Sequence, residues 1–256
     1  MELNKARFYD IVCGSVKAEH ERYNIGTYKE KELHIILKKY FEPDSTYHEI
    51  KTNGFIADIN RDGVITEIET SGFSGLRPKL GAYLPEYKVR LVYPLAEKKY
   101  VMWIDPDTSE ISPRKKSPKK AGIYDLLYEM VYILPYIKDK NLTFVSPRLE
   151  VDEYRLLNGW SRDRKRGSTK YERMPTDILG FVEIATDDDF LAAIPEECAG
   201  EFTVSEFAKA AKIPRRQASG VVKVLAERGI VERTGKKGRA YLYKTNAQII
   251  GNSNRA

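Results

Sequence analysis

GFIADINRDGVITEIET, residues 54–70, parses as two strands joined by a tight turn. GFIADI and VITEIET are short strand-like runs rich in apolar and β-branched residues, bounded by turn residues. The turn between them, Asn60-Arg61-Asp62-Gly63, ends in Asp-Gly, a hairpin signal because both residues tolerate positive φ. The hairpin carries acid where a strand wants apolar side chains. Asp58 lies inside the first strand, and Glu67 and Glu69 lie two apart in the second, so those two share a face.

Working outward, YHEIKT is a further strand on the N-terminal side. Before it TYKEKELHIILKKYF is an amphipathic helix, with Leu33, Ile36, Leu37 and Tyr40 at i, i+3, i+4 and i+7, ended by Pro43-Asp44-Ser45. Glu30 falls on the same stripe as Leu33 and Leu37. Residues 5–23 suit a helix. On the C-terminal side FSGLRPKLGAYL reads as a helix with an early Pro78, then VRLVYPL and YVMWID as strands, a basic loop SPRKKSPKK, and an apolar helix IYDLLYEMVYILPYI. That order predicts an α/β fold, a mixed core sheet flanked by helices. The expected organisation is an N-terminal helical extension (1–25), the α/β core (26–137), a connecting β and loop subdomain (138–197) with strands in LEVDEYRLLNGW and TDILGFVEIA, a basic C-terminal domain (198–246) and a tail (247–256).

The 256 residues are 42% hydrophobic, enough for a core, and 31% charged. No apolar run approaches the roughly 20 residues that span a bilayer, and the N-terminus has no signal-like apolar core, so a cytoplasmic location is expected. Two cysteines, Cys13 and Cys198, exclude a disulfide scaffold and a Cys-rich zinc site; three histidines, His20, His34 and His48, argue against a His-based cluster. No phosphate-binding Gly-rich loop, dinucleotide fingerprint or Ser-His-Asp order is present.

Charge is uneven. Residues 198–246 hold eleven basic side chains against four acidic ones, a surplus larger than the +6 of the whole chain, so the rest is close to neutral. Within them, FTVSEFAKAAKI is a short helix, Ile213-Pro214 a turn, RRQASGVVKVLAER a second helix stopped by Gly229, and IVERTGKKGRAYLYK two strands around a Gly-Lys-Lys-Gly tip. This order resembles a winged helix-turn-helix of the kind found in bacterial and archaeal DNA-binding proteins. The resemblance implies that Arg215, Arg216, Gln217, Ser219 and Lys223 face a DNA groove while Lys236, Lys237 and Arg239 contact phosphates. A winged helix used for protein contacts, or a merely solvated basic face, is the plainer alternative. SPRKKSPKK, with Arg114, Lys115, Lys116, Lys119 and Lys120, and the stretch between Trp160 and Tyr171, with Arg162, Arg164, Lys165, Arg166 and Lys170, are further phosphate-binding candidates or solvated loops.

Clustered carboxylates about 4 Å apart repel by roughly 4 kcal/mol at an effective dielectric near 20, and a divalent cation relieves this. An oxygen-only donor set without His or Cys favours Mg²⁺ or Mn²⁺. Over residues 26–104 the pattern resembles the PD-(D/E)XK nuclease superfamily, and in its first helix, GTYKEKEL at 26–33, archaeal Holliday-junction resolvases. The resemblance implies a restriction-endonuclease-like core in which Glu30 (Glu32 as the fallback), Asp58 and Glu67 bind metal, with Glu67-Ile68-Glu69 at the position of Glu-x-Lys. It departs at Glu69, where the family carries lysine; Lys79 or Arg77 on the next helix is then the candidate basic group. The expected activity is metal-dependent hydrolysis of DNA phosphodiesters by a prokaryotic protein, with catalytic residues Glu30, Asp58, Glu67, Glu69 and Lys79, DNA as partner and no membrane; RNA and a homodimer stay open. The rivals are a non-catalytic DNA-binding regulator with a degenerate nuclease domain, and three carboxylates alternating on the wet face of a hairpin.

Overall fold

The computed structural model describes residues 2–22, 32–159 and 167–246. It is a mixed α/β structure in which one large sheet is flanked by helices on both faces. Helices α1 (Lys5–Arg22) and α2 (Glu32–Phe41) lead into an antiparallel meander of β1 (His48–Thr52), β2 (Phe55–Arg61) and β3 (Val64–Ile68). The β2–β3 turn is the expected one: Asp62 (φ 51°) and Gly63 (φ 77°) both adopt the left-handed region, which matches the twist of the paired strands. A crossover through α3 (Arg77–Tyr83) returns the chain to β4 (Lys88–Val92), parallel to β3. Pro78 sits in the first turn of α3, where its missing N–H costs nothing.

Next come β5 (Leu95–Ile104), the short β6 (Lys115–Lys116) and α4 (Ile123–Glu129). The apolar helix expected over 123–137 is shorter than its pattern. After α4 the chain tightens into a 3₁₀ segment, Met130–Tyr136, with Ile133 off helical geometry, because Pro135 has no N–H to give the carbonyl of Val131 and its ring crowds that carbonyl.

Strand β7 (Leu142–Leu156) is the centre of the sheet. One edge pairs in parallel with β4 over residues 142–145 and then with β5 over 148–156; the other pairs antiparallel with β8 (Thr169–Ile184). The connecting subdomain expected at 138–197 is therefore not separate: the boundary at 137 would cut β7 out of the sheet it completes. Its first half is apolar like a buried parallel strand, but its second half, LEVDEYRLL, carries the charge of a surface segment, and only nonlocal pairing explains its position. After β8 follow α5 (Asp187–Leu191), β9 (Phe202–Thr203), α6 (Val204–Ala210), α7 (Arg215–Arg228) and a hairpin of β10 (Val231–Lys237) and β11 (Ala240–Thr245), with β11 between β10 and β9 in a second sheet.

Two apolar layers hold the sheet. On one side α1 and α2 bury Phe8, Leu33, Ile36 and Leu37 against Ile59, Ile68, Leu149 and Val151. On the other, a single cluster runs from Ala57 and Ile65 through Leu80, Leu127 and Phe144 to Phe207, Val221, Val222 and Leu225. Each such aliphatic side chain contributes about 1.5–3 kcal/mol when fully buried. The C-terminal elements are thus built into the body's core. Local signals fix their ends: Thr203 and Glu206 form a reciprocal cap on α6, and Gly229 (φ 91°) closes α7 in the left-handed conformation.

Candidate active site

The meander and the crossover helix bring the hairpin's acids together. Asp58 lies mid-strand in β2, where its carboxylate Oδ2 accepts the backbone N–H of Ile68 at 2.7 Å and stands 3.2 Å from His34 Nε2 of α2. Burial opposes ionisation, yet the His34 contact, the Ile68 N–H and the charge of Lys79 together hold Asp58 below its ordinary value. Glu67, on β3, is 1% exposed, and its Oε2 accepts from Lys79 Nζ at 2.6 Å. Desolvation and then the charge of Asp58 push Glu67 up to about 7, with Lys79 pulling the other way. Glu69, just past the strand end, is half-buried and also pushed up to about 7, first by desolvation and then by Asp58.

Three carboxylates thus feel one another's charge within a partly dry pocket. Glu67 Oε1 is buried without a well-formed hydrogen bond among the described residues, although the buried Tyr83 phenol lies against the same carboxylate. Burying an unsatisfied carboxylate oxygen is costly, and a hard cation would satisfy it. Among the described residues no group of three or more His, Cys, Asp or Glu side chains is placed to hold a metal ion together: Asp58 Oδ2 is engaged by Ile68 and His34, and Glu67 Oε2 by Lys79. Mg²⁺ needs no such cage, since it keeps several waters and binds through one or two carboxylates. The carboxylate oxygens of Asp58, Glu67 and Glu69 are donors of the kind it takes, with His34 Nε2 beside Asp58.

Of the residues anticipated for this site, Asp58, Glu67, Glu69 and Lys79 come together. Glu30 lies outside the described residues. Glu32, its fallback, opens α2 and is 4% exposed. Of the two candidates for the displaced basic group, Lys79 reaches Glu67, whereas Arg77 donates to the Tyr132 carbonyl. Tyr83 is an unanticipated neighbour. It sits one turn after Lys79 on α3, fully buried, its phenol held un-ionised by desolvation and by the charges of Glu67 and Asp58. The i,i+4 spacing from Lys79 is the sequence signal that points to it.

A second charged surface forms where α6, α7 and β11 meet. A cleft of about 540 Å³ is lined by Arg215, Arg216, Ser219, Arg239 and Tyr241 among others. Lys223 continues the exposed stripe of α7. On the hairpin, Arg233 stacks 3.2 Å from the Tyr241 ring centre, Lys236 lies 5.3 Å from it, and Lys237 pairs with Glu206 at 3.0 Å. Gln217 departs from expectation: its Nε2 donates to Asp125 of α4 at 3.2 Å, so it faces the body and not the cleft. Arg114 departs as well. It is held by Glu150 and Asp152 (2.7 and 2.8 Å) over the Tyr100 ring, and serves the sheet rather than an open loop. Residues 160–166, with Arg162, Arg164, Lys165 and Arg166, lie outside the described residues.

Comparison with known proteins places residues 31–185, the helix–sheet body with its carboxylates, under a family model described as "Domain of unknown function (DUF8091)". The chain belongs to that family. It is similar to an uncharacterized protein of Treponema pallidum (strain Nichols), 28% identical over 167 residues, which is 65% of this chain and 64% of the relative's length. The chain therefore matches less than two thirds of that curated relative. No solved structure matches. No helix of the described residues is long and apolar enough to cross a membrane.

Proposed function

We propose that this DUF8091 protein is a metal-dependent DNA phosphodiesterase, an endonuclease-like hydrolase of the PD-(D/E)XK type, carried to DNA by a C-terminal winged helix in a prokaryotic cytoplasm. The observation that carries the reading is the buried, mutually charged set Asp58, Glu67 and Glu69 with Lys79 bound to Glu67. The connectivity supports it: a helix, a three-stranded antiparallel meander, a crossover helix and a parallel fourth strand come in the order that the resemblance implies. So does the Arg-rich cleft, since arginine pairs with phosphate in a fixed fork geometry.

In this reading Asp58 and Glu67 hold Mg²⁺ or Mn²⁺. The cation, when bound, stabilises charge on the phosphate and makes water more acidic. Glu69 takes the proton of the attacking water, a role suited to a carboxyl raised to about 7. Lys79 opposes the burial that raises Glu67 and adds positive charge at the pocket. Arg215, Arg216 and Arg239 grip the backbone of bound DNA.

The test is cleavage of linear, branched and single-stranded DNA with Mg²⁺ or Mn²⁺ and with chelator. Metal-dependent products abolished in Asp58→Ala and Glu67→Ala support the enzyme. Binding to every substrate without cutting overturns it and favours the second reading, a DNA-binding regulator, for which Glu69 at the family's lysine position speaks.

A further inference from the structure

On β5, β7 and β8 three rows of neighbours cross the sheet: Lys99–Val151–Pro175, Val101–Glu153–Arg173 and Trp103–Arg155–Lys170. Strand alternation puts Val151, Glu153 and Arg155 on one face, with their partners beside them. Glu153 is 2% exposed and binds Arg155 Nη2 at 2.6 Å and Lys99 Nζ at 3.4 Å. Among the described residues four cations on this face, Lys99, Arg155, Lys170 and Arg173, share the one buried carboxylate of Glu153. The opposite face of β7 differs, because there Arg114 and Lys98 balance Glu150 and Asp152. Desolvation and then the like charges of Arg173, Lys99 and Arg155 hold the Lys170 amine below its ordinary value, against the pull of Glu153. The patch also touches the carboxylate pocket: Arg173 Nη2 donates to the carbonyl of Thr70, the residue after Glu69.

We propose that this basic sheet face is a second DNA surface, separate from the α6–α7 cleft, which takes the phosphodiester backbone of the strand entering the carboxylate pocket. The proposal rests on reading DNA as the substrate. Charge complementarity selects the occupant: surplus cations on neighbouring strands beyond the α1–α2 layer, with Lys170 exposed and Trp103 at one end, match a polyanion with stackable bases.

The experiment follows fluorescence anisotropy of a short labelled DNA single strand and its duplex across a salt series, in chelator so that cleavage does not intrude. The full chain is used with Arg215→Ala, Arg216→Ala and Arg239→Ala combined, so that the cleft's arginines contribute nothing. The expected result is residual salt-dependent binding. Adding Lys170→Ala lowers the log–log salt slope by about 0.7 for the single strand and about 0.9 for the duplex, Lys170→Glu lowers it further, and Lys170→Arg restores it. No residual binding in the triple variant, or binding that Lys170→Glu leaves unchanged, overturns this surface alone. A wild-type chain that binds neither probe overturns the nucleic-acid reading itself, and this surface with it.

Discussion

Gly220 of α7 lies so close to Tyr128 of α4 that a Cβ on it would stand 2.6 Å from the ring's Cδ2, and 3.2 Å from Val131 Cγ2. Glycine inside a helix costs about 0.5–1 kcal/mol relative to alanine, so here it serves the close approach of the two helices. Gly220→Ala is expected to destabilise the whole chain by about 1–3 kcal/mol, overpacking exceeding the gain in helix propensity. Combined with Tyr128→Ala, the loss falls short of the sum of the single losses. Denaturant unfolding checks both. A Gly220→Ala chain more stable than wild type would mean that α4 and α7 are not in contact in solution.

Much of this architecture is legible in the order of the residues. Asp62-Gly63 specifies its hairpin by backbone chemistry, and the spacing of Leu33, Ile36 and Leu37 specifies a helix whose apolar side is buried. Asp58, Glu67 and Glu69 stand out as acids where a strand wants apolar residues, and Lys79 as a basic residue one helix on, which pairs with Glu67. What escapes such a reading depends on nonlocal pairing. The place of β7 alongside β4 and then β5 is set by parallel partners about fifty residues upstream, and its charged half hides it. Gln217 reads as an outward-facing polar residue because periodicity cannot say that α7 has a second helix, α4, along one side. Arg114 reads as free because its acids, Glu150 and Asp152, come from a strand far along the chain.

Mg²⁺ is expected to stabilise the wild-type chain against heat by ligand linkage, by about 2.7 kcal/mol at a concentration 100 times its dissociation constant. Asp58→Ala and Glu67→Gln remove the shift, and chelator reverses it in the wild type. Calorimetry with and without the ion reads this independently of any cleavage. A shift of equal size in both variants would locate the ion elsewhere.

Arg215→Ala, Arg216→Ala and Arg239→Ala are each expected to lower the log–log salt slope of duplex binding by about 0.9, the loss of one phosphate contact. Gln217→Ala leaves the slope unchanged, since its amide serves Asp125 and not the cleft. Equal effects of Gln217 and the arginines would show that α7 parts from α4 when DNA binds.

Glu153 titrates below its ordinary value of 4.5: burial pushes it up, but the Arg155 hydrogen bond and the charges of Lys99, Arg155 and Lys170 outweigh that. A carboxyl depressed on folding stabilises the native state above its unfolded value, and the contribution fades as pH falls below 4.5 through the lower native value. Glu153→Gln is accordingly expected to cost about 2 kcal/mol at neutral pH, the scale of a charged hydrogen bond. The wild-type and variant stabilities then converge on acidification. Curves that stay parallel down the acid limb would show that Glu153 does not bear that charge.

The carboxylate pocket is tied to the rest of the molecule just past Glu69. Gly72 has φ 144°, a region that disfavours a side chain, and a Cβ there would come within 2.6 Å of Glu129 Oε2. That same oxygen accepts the Phe73 N–H at 3.2 Å, so α4 holds the segment that follows Glu69. Gly72→Ala has to move either the backbone or Glu129, and both shift the chain that sets Glu69. Misplacement of a reacting group by about 1 Å costs up to about 100-fold in rate, so metal-dependent cleavage is expected to fall about 10- to 100-fold. Duplex affinity through Arg215 and Arg216 stays as it was, because α7 is held to α4 by Gln217 and the Gly220 contact, neither of which the substitution touches. Single-turnover cleavage and anisotropy on the same preparation separate the two effects, and wild-type cleavage by a folded Gly72→Ala chain would show that the segment from Glu69 to Phe73 does not position the carboxylate.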